Sequence, residues 1–250
     1  MKKMFKKTGF DIIIQAGQSN SEGCGVGSVA EPFVPNDDIW YLNNDLKIKQ
    51  AAESGKKREP VGNFSLSFTA AYIKKGLLQP GRKVLILRTA VGGTGFLDNR
   101  WGMKDDLFLK MMEMIDTALK LNPDNKLVAL LWHQGETDAI LNASEQGHFE
   151  NLFGLVTAVR STFNCGDLPF IAGDFVQHWK MDNLAICEPV IAAIKRVCQS
   201  IGHAKFVETV DLQSNDQKTG NKDTIHFCRQ AIYELGERYF KALCDITGNL

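Results

Sequence analysis

Four short blocks of this 250-residue chain together contain glycines and side chains that can transfer protons or attack a carbonyl group. A serine, a histidine and an aspartate can together serve as nucleophile, general base and the acid that orients the base. Residues of all three types occur in the set, together with glycines that can present bare backbone N–H groups. The blocks are Gly17-Gln18-Ser19-Asn20, Gly92-Gly93-Thr94-Gly95, His133-Gln134-Gly135-Glu136-Thr137-Asp138 and Asp223-Thr224-Ile225-His226.

Ser19 is the candidate nucleophile, because it lies on a glycine-led turn directly after an apolar stretch. Such a turn can present a hydroxyl group at a sheet edge, and an imidazole that accepts its proton makes the oxygen nucleophilic. The alternative is a plain strand-to-helix turn in which Ser19 or Asn20 caps the helix. The block by itself leaves both interpretations open.

Asp223 and His226 are the candidate acid and base. Their three-residue separation lets the carboxylate reach Nδ1 of the imidazole while Nε2 points at a hydroxyl group. Each could instead be an ordinary polar residue with a structural partner. Because His226 comes just before an apolar helical segment, we expect it to lie over the edge of the sheet.

Acyl transfer also needs hydrogen-bond donors aimed at the developing oxyanion, each worth on the order of 3 kcal/mol. Gly92 or Gly93 can offer a backbone N–H group, and Gln134 can add a side-chain amide. By default these are turn glycines and a polar rim residue. Because all four blocks fall at predicted strand ends, we favour the functional interpretation.

The elements that must position these blocks alternate short β-rich runs with longer segments of helical period. Parallel sheets bind ligands beyond the carboxyl ends of their strands, where the blocks lie. We predict one domain over residues 1–250, with a three-layer α/β/α, flavodoxin-like fold and a central parallel sheet. The predicted strands are 11–16, 38–42, 83–89, 126–132, 169–174 and 205–210; the predicted helices are centred on 66–77, 108–119, 149–163, 190–201 and 231–243. Residues 43–63 show no period and are predicted to form a long loop.

Composition excludes several classes of protein. The 29 basic and 29 acidic side chains cancel, so no summed field favours nucleic acid or an anionic membrane surface. The longest apolar run, 127–132, is far shorter than the roughly 18 residues of a membrane span. Lys2 and Lys3 imitate the start of a signal peptide, but no adequate apolar stretch follows. The six cysteines form no C-x-x-C pair. We therefore expect a soluble, cytoplasmic protein with reduced thiols and no nucleic-acid or membrane partner.

Motifs for common cofactors are missing. There is no phosphate-binding G-x-x-x-x-G-K-[ST] and no G-x-G-x-x-G after a strand. The five histidines lack the i, i+4 pairing of a catalytic zinc helix. The Ser19 block also lacks the second glycine of G-x-S-x-G, which disfavours an α/β-hydrolase elbow. We expect neither a metal nor an organic cofactor.

In the order and spacing of the four blocks, the chain resembles the SGNH hydrolase superfamily over nearly its whole length. Within it, the chain is similar to carbohydrate acetylesterases such as sialate O-acetylesterases and family-6 acetylxylan esterases. The resemblance implies that Ser19 is the nucleophile, His226 the base and Asp223 its acid. It also implies an oxyanion hole made of the amides of Ser19 and of Gly92 or Gly93, with the Gln134 side chain.

The resemblance leaves the substrate open. Thr224 stands where the family commonly has glycine, and Ser21 where it often has an apolar residue. Gln18, Asn20 and Glu136 are expected to support the site, and Glu136 could share the role of the acid. We expect a serine esterase that removes acetyl groups from a small or oligomeric sugar ester. The alternatives are a lipid, aryl or thioester hydrolase of the same superfamily, or a non-catalytic carbohydrate-binding protein. The oligomeric state is not readable from the sequence.

Overall fold

The computed structural model describes residues 7–56 and 59–249 and contains the predicted alternation of strands and helices. Five long helices alternate with the principal strands, and four short helices follow strand ends or loops. The strands are β1 (Phe10–Gly17), β2 (Ile39–Leu42), β3 (Ile48–Gln50), β4 (Ser54–Lys56), β5 (Glu59–Val61), β6 (Lys83–Arg88), β7 (Lys126–His133), β8 (Phe170–Gly173) and β9 (Ala204–Val207). The helices are α1 (Ser19–Glu22), α2 (Phe64–Lys74), α3 (Asp106–Leu121), α4 (Glu136–Ile140), α5 (Glu145–Thr162), α6 (Gln177–Asp182), α7 (Leu184–Ser200), α8 (Asn215–Thr219) and α9 (Arg229–Thr247).

The central sheet has seven strands in the order β3-β2-β6-β1-β7-β8-β9. All neighbours are parallel except the edge strand β3, which is antiparallel to β2. The five strands from β6 to β9 follow the flavodoxin-like order 2-1-3-4-5 when they are numbered along the chain. The strand order reverses between β1 and β7, so a ligand site is expected where these two strands end.

Strand β1 shows why the sheet is covered on both faces. All eight of its residues are buried, as expected for a central parallel strand rather than one facing water. Ile12 and Ile14 join the core beneath α3, α5 and α7, whereas Ile13 joins the core beneath α2 and α9. The structure therefore confirms the three-layer α/β/α prediction.

The prediction of a long loop over 43–63 is wrong. Strand β3 pairs with β2 through Tyr41 and Lys49, and β4 pairs with β5 in a hairpin. These strands are only three residues long, too short to show a period in the sequence. Lys57 and Arg58 lie outside the described residues.

The four short helices were also missed, because fewer than two turns leave no amphipathic pattern. Among the residues that the structure describes, no helix has the length and apolar character needed to cross a membrane.

Candidate active site

Ser19, His226 and Asp223 come together at the carboxyl end of the sheet, although 207 residues separate the serine from the histidine. His226 Nε2 lies 2.9 Å from Ser19 Oγ. On the other side of the ring, Nδ1 lies 2.9 Å from both carboxylate oxygens of Asp223. The carboxylate can only accept a hydrogen bond, so Nδ1 carries the proton and Nε2 is free to accept the serine proton. The predicted triad geometry is present.

The turn that carries Ser19 requires glycine at position 17. Gly17 has φ +123°, and a Cβ atom there would lie 2.1 Å from the His133 carbonyl oxygen. Gln18 then donates its backbone N–H to that same carbonyl at 3.0 Å. The close approach of β1 to β7 thus directs the chain sharply into α1 and leaves Ser19 at the sheet edge.

Asn215 holds the acid and is a site residue that sequence reasoning missed. Its Nδ2 donates to Asp223 Oδ2 at 2.9 Å and to the Cys24 carbonyl at 3.0 Å. Its backbone N–H donates to the His226 carbonyl. Since the Asn215 side chain is buried, this hydrogen bond fixes the position of one carboxylate oxygen of Asp223. Nothing in the spacing of Asn215 marked it beforehand.

Asn20 links three parts of the site. Its Nδ2 donates to Glu136 Oε1 at 2.8 Å and to the Ile225 carbonyl at 3.0 Å, while its Oδ1 accepts from the Phe227 backbone. The side chain is completely buried. Asn20 therefore ties the nucleophile turn to the histidine loop and to α4, which fits the expectation that it supports the site.

Gln18 makes a second link. Its Oε1 accepts from the backbone N–H of Thr137 at 3.1 Å, which connects the nucleophile turn to the start of α4. This contact links the residue that follows β1 to the helix that follows β7. It fits the supporting role expected for Gln18.

Of the two glycines proposed as oxyanion donors, Gly92 lies against the nucleophile. A Cβ atom on Gly92 would lie 3.5 Å from Ser19 Cβ, whereas a Cβ atom on Gly93 would meet no atom within 4 Å. In this structure the Gly92 N–H donates to the carboxylate of Glu22 at 2.8 Å. Gly92 thus has the position of a donor, and its N–H group already has an acceptor.

Gln134 is completely buried rather than exposed at a rim. Its amide nitrogen donates to Asp138 Oδ2 at 2.8 Å and lies 3.3 Å from the Thr94 carbonyl oxygen. These contacts connect the third block to the loop that contains Gly92, Gly93, Thr94 and Gly95, called the glycine loop below. The role of Gln134 as an oxyanion donor stays a prediction.

The pKa values of two buried carboxylates of α4 are shifted in opposite directions. Burial raises the pKa of Glu136, and the hydrogen bonds that its carboxylate accepts from Asn20 and from its own backbone N–H do not offset this effect. Its Oε2 has no partner among the described residues. Burial also acts to raise the pKa of Asp138. There, nearby His148 and the backbone amides of Leu97 and Phe96 outweigh burial and lower it. Asp138 is a charged anchor for the glycine loop, which the sequence did not indicate.

Comparisons with known proteins identify the family of the chain. The family model described as "SASA: Carbohydrate esterase, sialic acid-specific acetylesterase" matches residues 9–245. A probable 9-O-acetyl-N-acetylneuraminic acid deacetylase of Escherichia coli (strain K12) is 32% identical over 91 residues, which cover 32% of this chain and 27% of that protein. The probable carbohydrate esterase At4g34215 of Arabidopsis thaliana is 25% identical over 178 residues, which cover 64% of this chain and 66% of that protein. The matches therefore span less than two thirds of either relative.

Solved structures share the fold. NanS superposes with a TM-score of 0.79 at 16% identity and covers 98% of this chain and 99% of its own. The Arabidopsis thaliana protein AT4G34215 superposes with a TM-score of 0.74 at 20% identity, over 94% of this chain and 98% of its own. At these identities the superpositions establish the fold alone, and membership rests on the family model. Since that model covers every strand of the central sheet and all four blocks, the chain belongs to the SASA family of carbohydrate esterases.

Proposed function

We propose that this protein is a serine esterase that removes O-acetyl groups from carbohydrates through an acetyl-serine intermediate, without a metal or cofactor. The observation that carries the proposal is the alignment of Ser19 Oγ, the His226 ring and the Asp223 carboxylate by hydrogen bonds of 2.9 Å. The choice of an acetylated sugar rests on the family and on the names of the two relatives.

The first half-reaction transfers the acetyl group to the protein. Ser19 Oγ attacks the acetyl carbonyl carbon while His226 Nε2 takes the hydroxyl proton. Asp223 stabilises the imidazolium that forms. The tetrahedral intermediate collapses when the bond to the sugar oxygen breaks, and His226 returns the proton to that oxygen.

The second half-reaction regenerates the enzyme. A water molecule gives a proton to His226 Nε2 and attacks the acetyl-serine carbonyl. When the second tetrahedral intermediate collapses, acetate leaves and Ser19 Oγ recovers the proton. In both halves the expected oxyanion donors are the Ser19 amide, a glycine amide from Gly92 or Gly93, and Gln134.

The side-chain exposure of His226 and Asp223, 23% and 28%, supports this assignment. The pair is accessible enough for a sugar ester to reach it, yet each ring nitrogen has a defined partner. A purely structural histidine is more often buried, as His133 is here. Its desolvation lowers its pKa to about 3, so it stays neutral at working pH.

The test combines acetate release with active-site labelling. Wild-type protein is assayed on acetylated sialic acids, acetylated xylo-oligosaccharides and aryl esters of increasing acyl length. In parallel, a fluorophosphonate is applied and the modified peptide is located by mass spectrometry. We expect acetate release from at least one sugar ester and modification at Ser19. The matched control Ser28→Ala, at an exposed serine nine residues along the chain, should behave as wild type.

Two outcomes would contradict the proposal. A clear preference for long acyl chains, with no release from sugar esters, would assign the protein to the lipid and aryl ester hydrolases. Absence of both turnover and labelling in folded protein would favour the non-catalytic alternative, and binding of the same sugars would then be measured directly.

A further inference from the structure

Asp138 contacts both parts of the site that are expected to hold the oxyanion. Its Oδ1 accepts the backbone N–H groups of Phe96 and Leu97 at 2.9 and 2.8 Å, directly after the glycine loop. Its Oδ2 accepts from the Gln134 side-chain amide at 2.8 Å. One carboxylate thus holds both the loop that contains Gly92 and the side chain of Gln134.

The glycine loop lies so close to this carboxylate that it needs glycine at position 95. A Cβ atom on Gly95 would lie 2.6 Å from Asp138 Oδ1. The carboxylate has no room to withdraw, because the Asp138 side chain is completely buried and both of its oxygens accept hydrogen bonds. Within the loop, Thr94 Oγ1 donates to the Val91 carbonyl at 2.7 Å and accepts from Trp101 Nε1 at 3.0 Å. The position of the loop backbone therefore depends on the position of the carboxylate.

The hydrogen bond from Gln134 to Asp138 also sets the direction of the second N–H group of this amide. A side-chain amide is planar, so an Nε2 hydrogen that is held by Asp138 leaves the other hydrogen with one direction. The remaining acceptors of Nε2 are more distant: the Thr94 carbonyl oxygen lies 3.3 Å away and Gln18 Oε1 lies 3.5 Å away. Gln18 directly precedes Ser19. The second N–H group is therefore the one that a stronger acceptor, such as an oxyanion, can take over.

The negative charge of Asp138 strengthens the hydrogen bonds that it accepts. Burial acts to raise the pKa of Asp138, but nearby His148 and the backbone amides of Leu97 and Phe96 outweigh burial and lower it. His148 Nδ1 lies 3.4 Å from Asp138 Oδ2, and both side chains are buried. An ionised carboxylate holds N–H donors more firmly than a neutral amide oxygen does.

From these contacts we propose that Asp138 is the positioning residue of the oxyanion hole. Its buried carboxylate holds the glycine loop and the Gln134 amide where their N–H groups can donate to the oxyanion that forms on the acyl carbonyl. Asp138 is inaccessible to solvent, so it acts on the reaction only through these donors. The inference rests on the proposed esterase function and adds to the triad a residue that serves the opposite side of the reacting carbonyl.

Two variants disturb this arrangement from its two sides. Asp138→Asn keeps the shape but removes the charge and places an amide nitrogen beside the donors. Gly95→Ala keeps the carboxylate but forces the loop away from it, and alanine meets no other strain there because Gly95 is not a positive-φ glycine. The matched controls are Asp116→Asn, at an exposed aspartate of α3, and Gly154→Ala in α5, where a Cβ atom would meet no atom within 4 Å.

The experiment compares the acetylated sugar that wild type hydrolyses fastest with the same sugar carrying a thionoacetyl group, in which sulfur replaces the carbonyl oxygen. Sulfur is a weak hydrogen-bond acceptor, so the oxyanion hole accelerates the ester more than the thionoester. We expect kcat for the ester to fall roughly tenfold to a hundredfold in Asp138→Asn and Gly95→Ala, with KM changed by less than about threefold. The thionoester should lose at most about threefold. Release of acetate or thioacetate is measured well below the unfolding temperature of each variant.

The ratio of ester to thionoester rates separates a positioning role from a purely structural one. A ratio that falls by at least about fivefold in both variants, and keeps its wild-type value in both controls, supports the inference. Equal losses on the two substrates in either folded variant overturn it, while the esterase function stands. If Asp138→Asn does not fold, Gly95→Ala decides by the same criterion. If wild type releases acetate from no sugar ester, the esterase proposal fails and the inference fails with it.

Discussion

The candidate catalytic edge, formed by Ser19, His226 and Asp223, differs from the buried polar cluster to which Asn20 links it. At the edge, the side chains are partly exposed and both ring nitrogens of His226 have partners. The buried cluster consists of Gln134, Glu136, Asp138 and His148, and all four are essentially inaccessible to solvent. Within the described residues, one oxygen of Gln134, one oxygen of Glu136 and Nε2 of His148 lack hydrogen-bond partners, whereas Nδ1 of His148 lies 3.4 Å from Asp138 Oδ2.

This difference in burial suggests different roles for the two groups of residues: those at the edge would react, and those in the buried cluster would hold the surrounding loops in place. Groups at the edge must exchange partners with substrate and water, so they cannot be sealed in the interior. Groups in the buried cluster can hold loops in place, but each unpaired atom costs stability. Substitutions at the edge should therefore reduce activity and leave folding intact, whereas substitutions in the cluster should reduce stability.

The largest expected effect is at Ser19. Ser19→Ala removes the nucleophile and should lower kcat by on the order of a million-fold. Because Ser19 is half-buried and its hydroxyl bonds to His226, the free energy of unfolding should change by less than about 1 kcal/mol. Acetate release and urea unfolding measure the two quantities. If Ser19→Ala keeps near wild-type turnover, Ser19 is not the nucleophile.

The second prediction compares the two carboxylates that could serve His226. Asp223→Asn keeps the shape but favours the wrong imidazole tautomer, so kcat should fall by up to about 10⁴-fold. Glu136→Gln should cost less, because Glu136 accepts from Asn20 and the His226 ring nitrogen is bonded to Asp223. If kcat is lost in Glu136→Gln but retained in Asp223→Asn, and the two variants are equally stable, the acid is misassigned. Equal and non-additive losses would mean that both act on one imidazole.

The buried cluster should show the opposite balance at Asp138. Asp138→Asn removes the charge that receives the amides of Phe96 and Leu97 and the Gln134 side chain. Breaking such a buried network should lower the free energy of unfolding by about 3 kcal/mol. Urea unfolding measures it against Asp116→Asn, an exposed aspartate on α3. A loss no greater than that of the control contradicts the anchoring role.

A substitution at Asn215 tests whether activity depends on the buried hydrogen bond to Asp223. Asn215→Ala frees one oxygen of Asp223 and should lower kcat roughly tenfold to a hundredfold, with little change in KM, because the acid no longer fixes the ring. Kinetics are measured well below the unfolding temperature of the variant. An exposed asparagine, Asn36→Ala, is the control. A change confined to KM, with kcat intact, would argue against a role in orienting Asp223.

The last prediction is a pH dependence of stability at Glu136. Its folded-state pKa is raised by burial, so the folded protein holds a proton that the unfolded chain releases above its ordinary value of 4.5. The stabilisation is present below that value and is lost as pH rises through the folded-state pKa, by at most about 1.4 kcal/mol per pH unit. Glu136→Gln should therefore gain stability relative to wild type between pH 4.5 and 7.5. If the difference in the free energy of unfolding between Glu136→Gln and wild type is the same at pH 4.5 and at pH 7.5, the assignment of Glu136 as a buried acid with a raised pKa is wrong.

The sequence by itself determined the features that short spacings and periodicity encode. Alternating strands and helices predicted the layered fold, and a three-residue separation predicted the contact between Asp223 and His226. The glycine before Gln18 predicted a sharp turn, which the φ of Gly17 confirms. Such contacts lie within a few residues, where local geometry leaves little freedom.

Only the tertiary structure decided which distant groups share a hydrogen bond. Seventy residues separate Glu22 from Gly92, and the 41 residues from Leu97 to Asp138 include a whole helix. Even Asn215, eight residues from Asp223, reaches it only because α8 packs beneath the histidine loop. No period relates these positions. The contacts exist because parallel strands end at one sheet edge, and the loops beyond them satisfy their buried polar groups with whichever neighbour packing brings close.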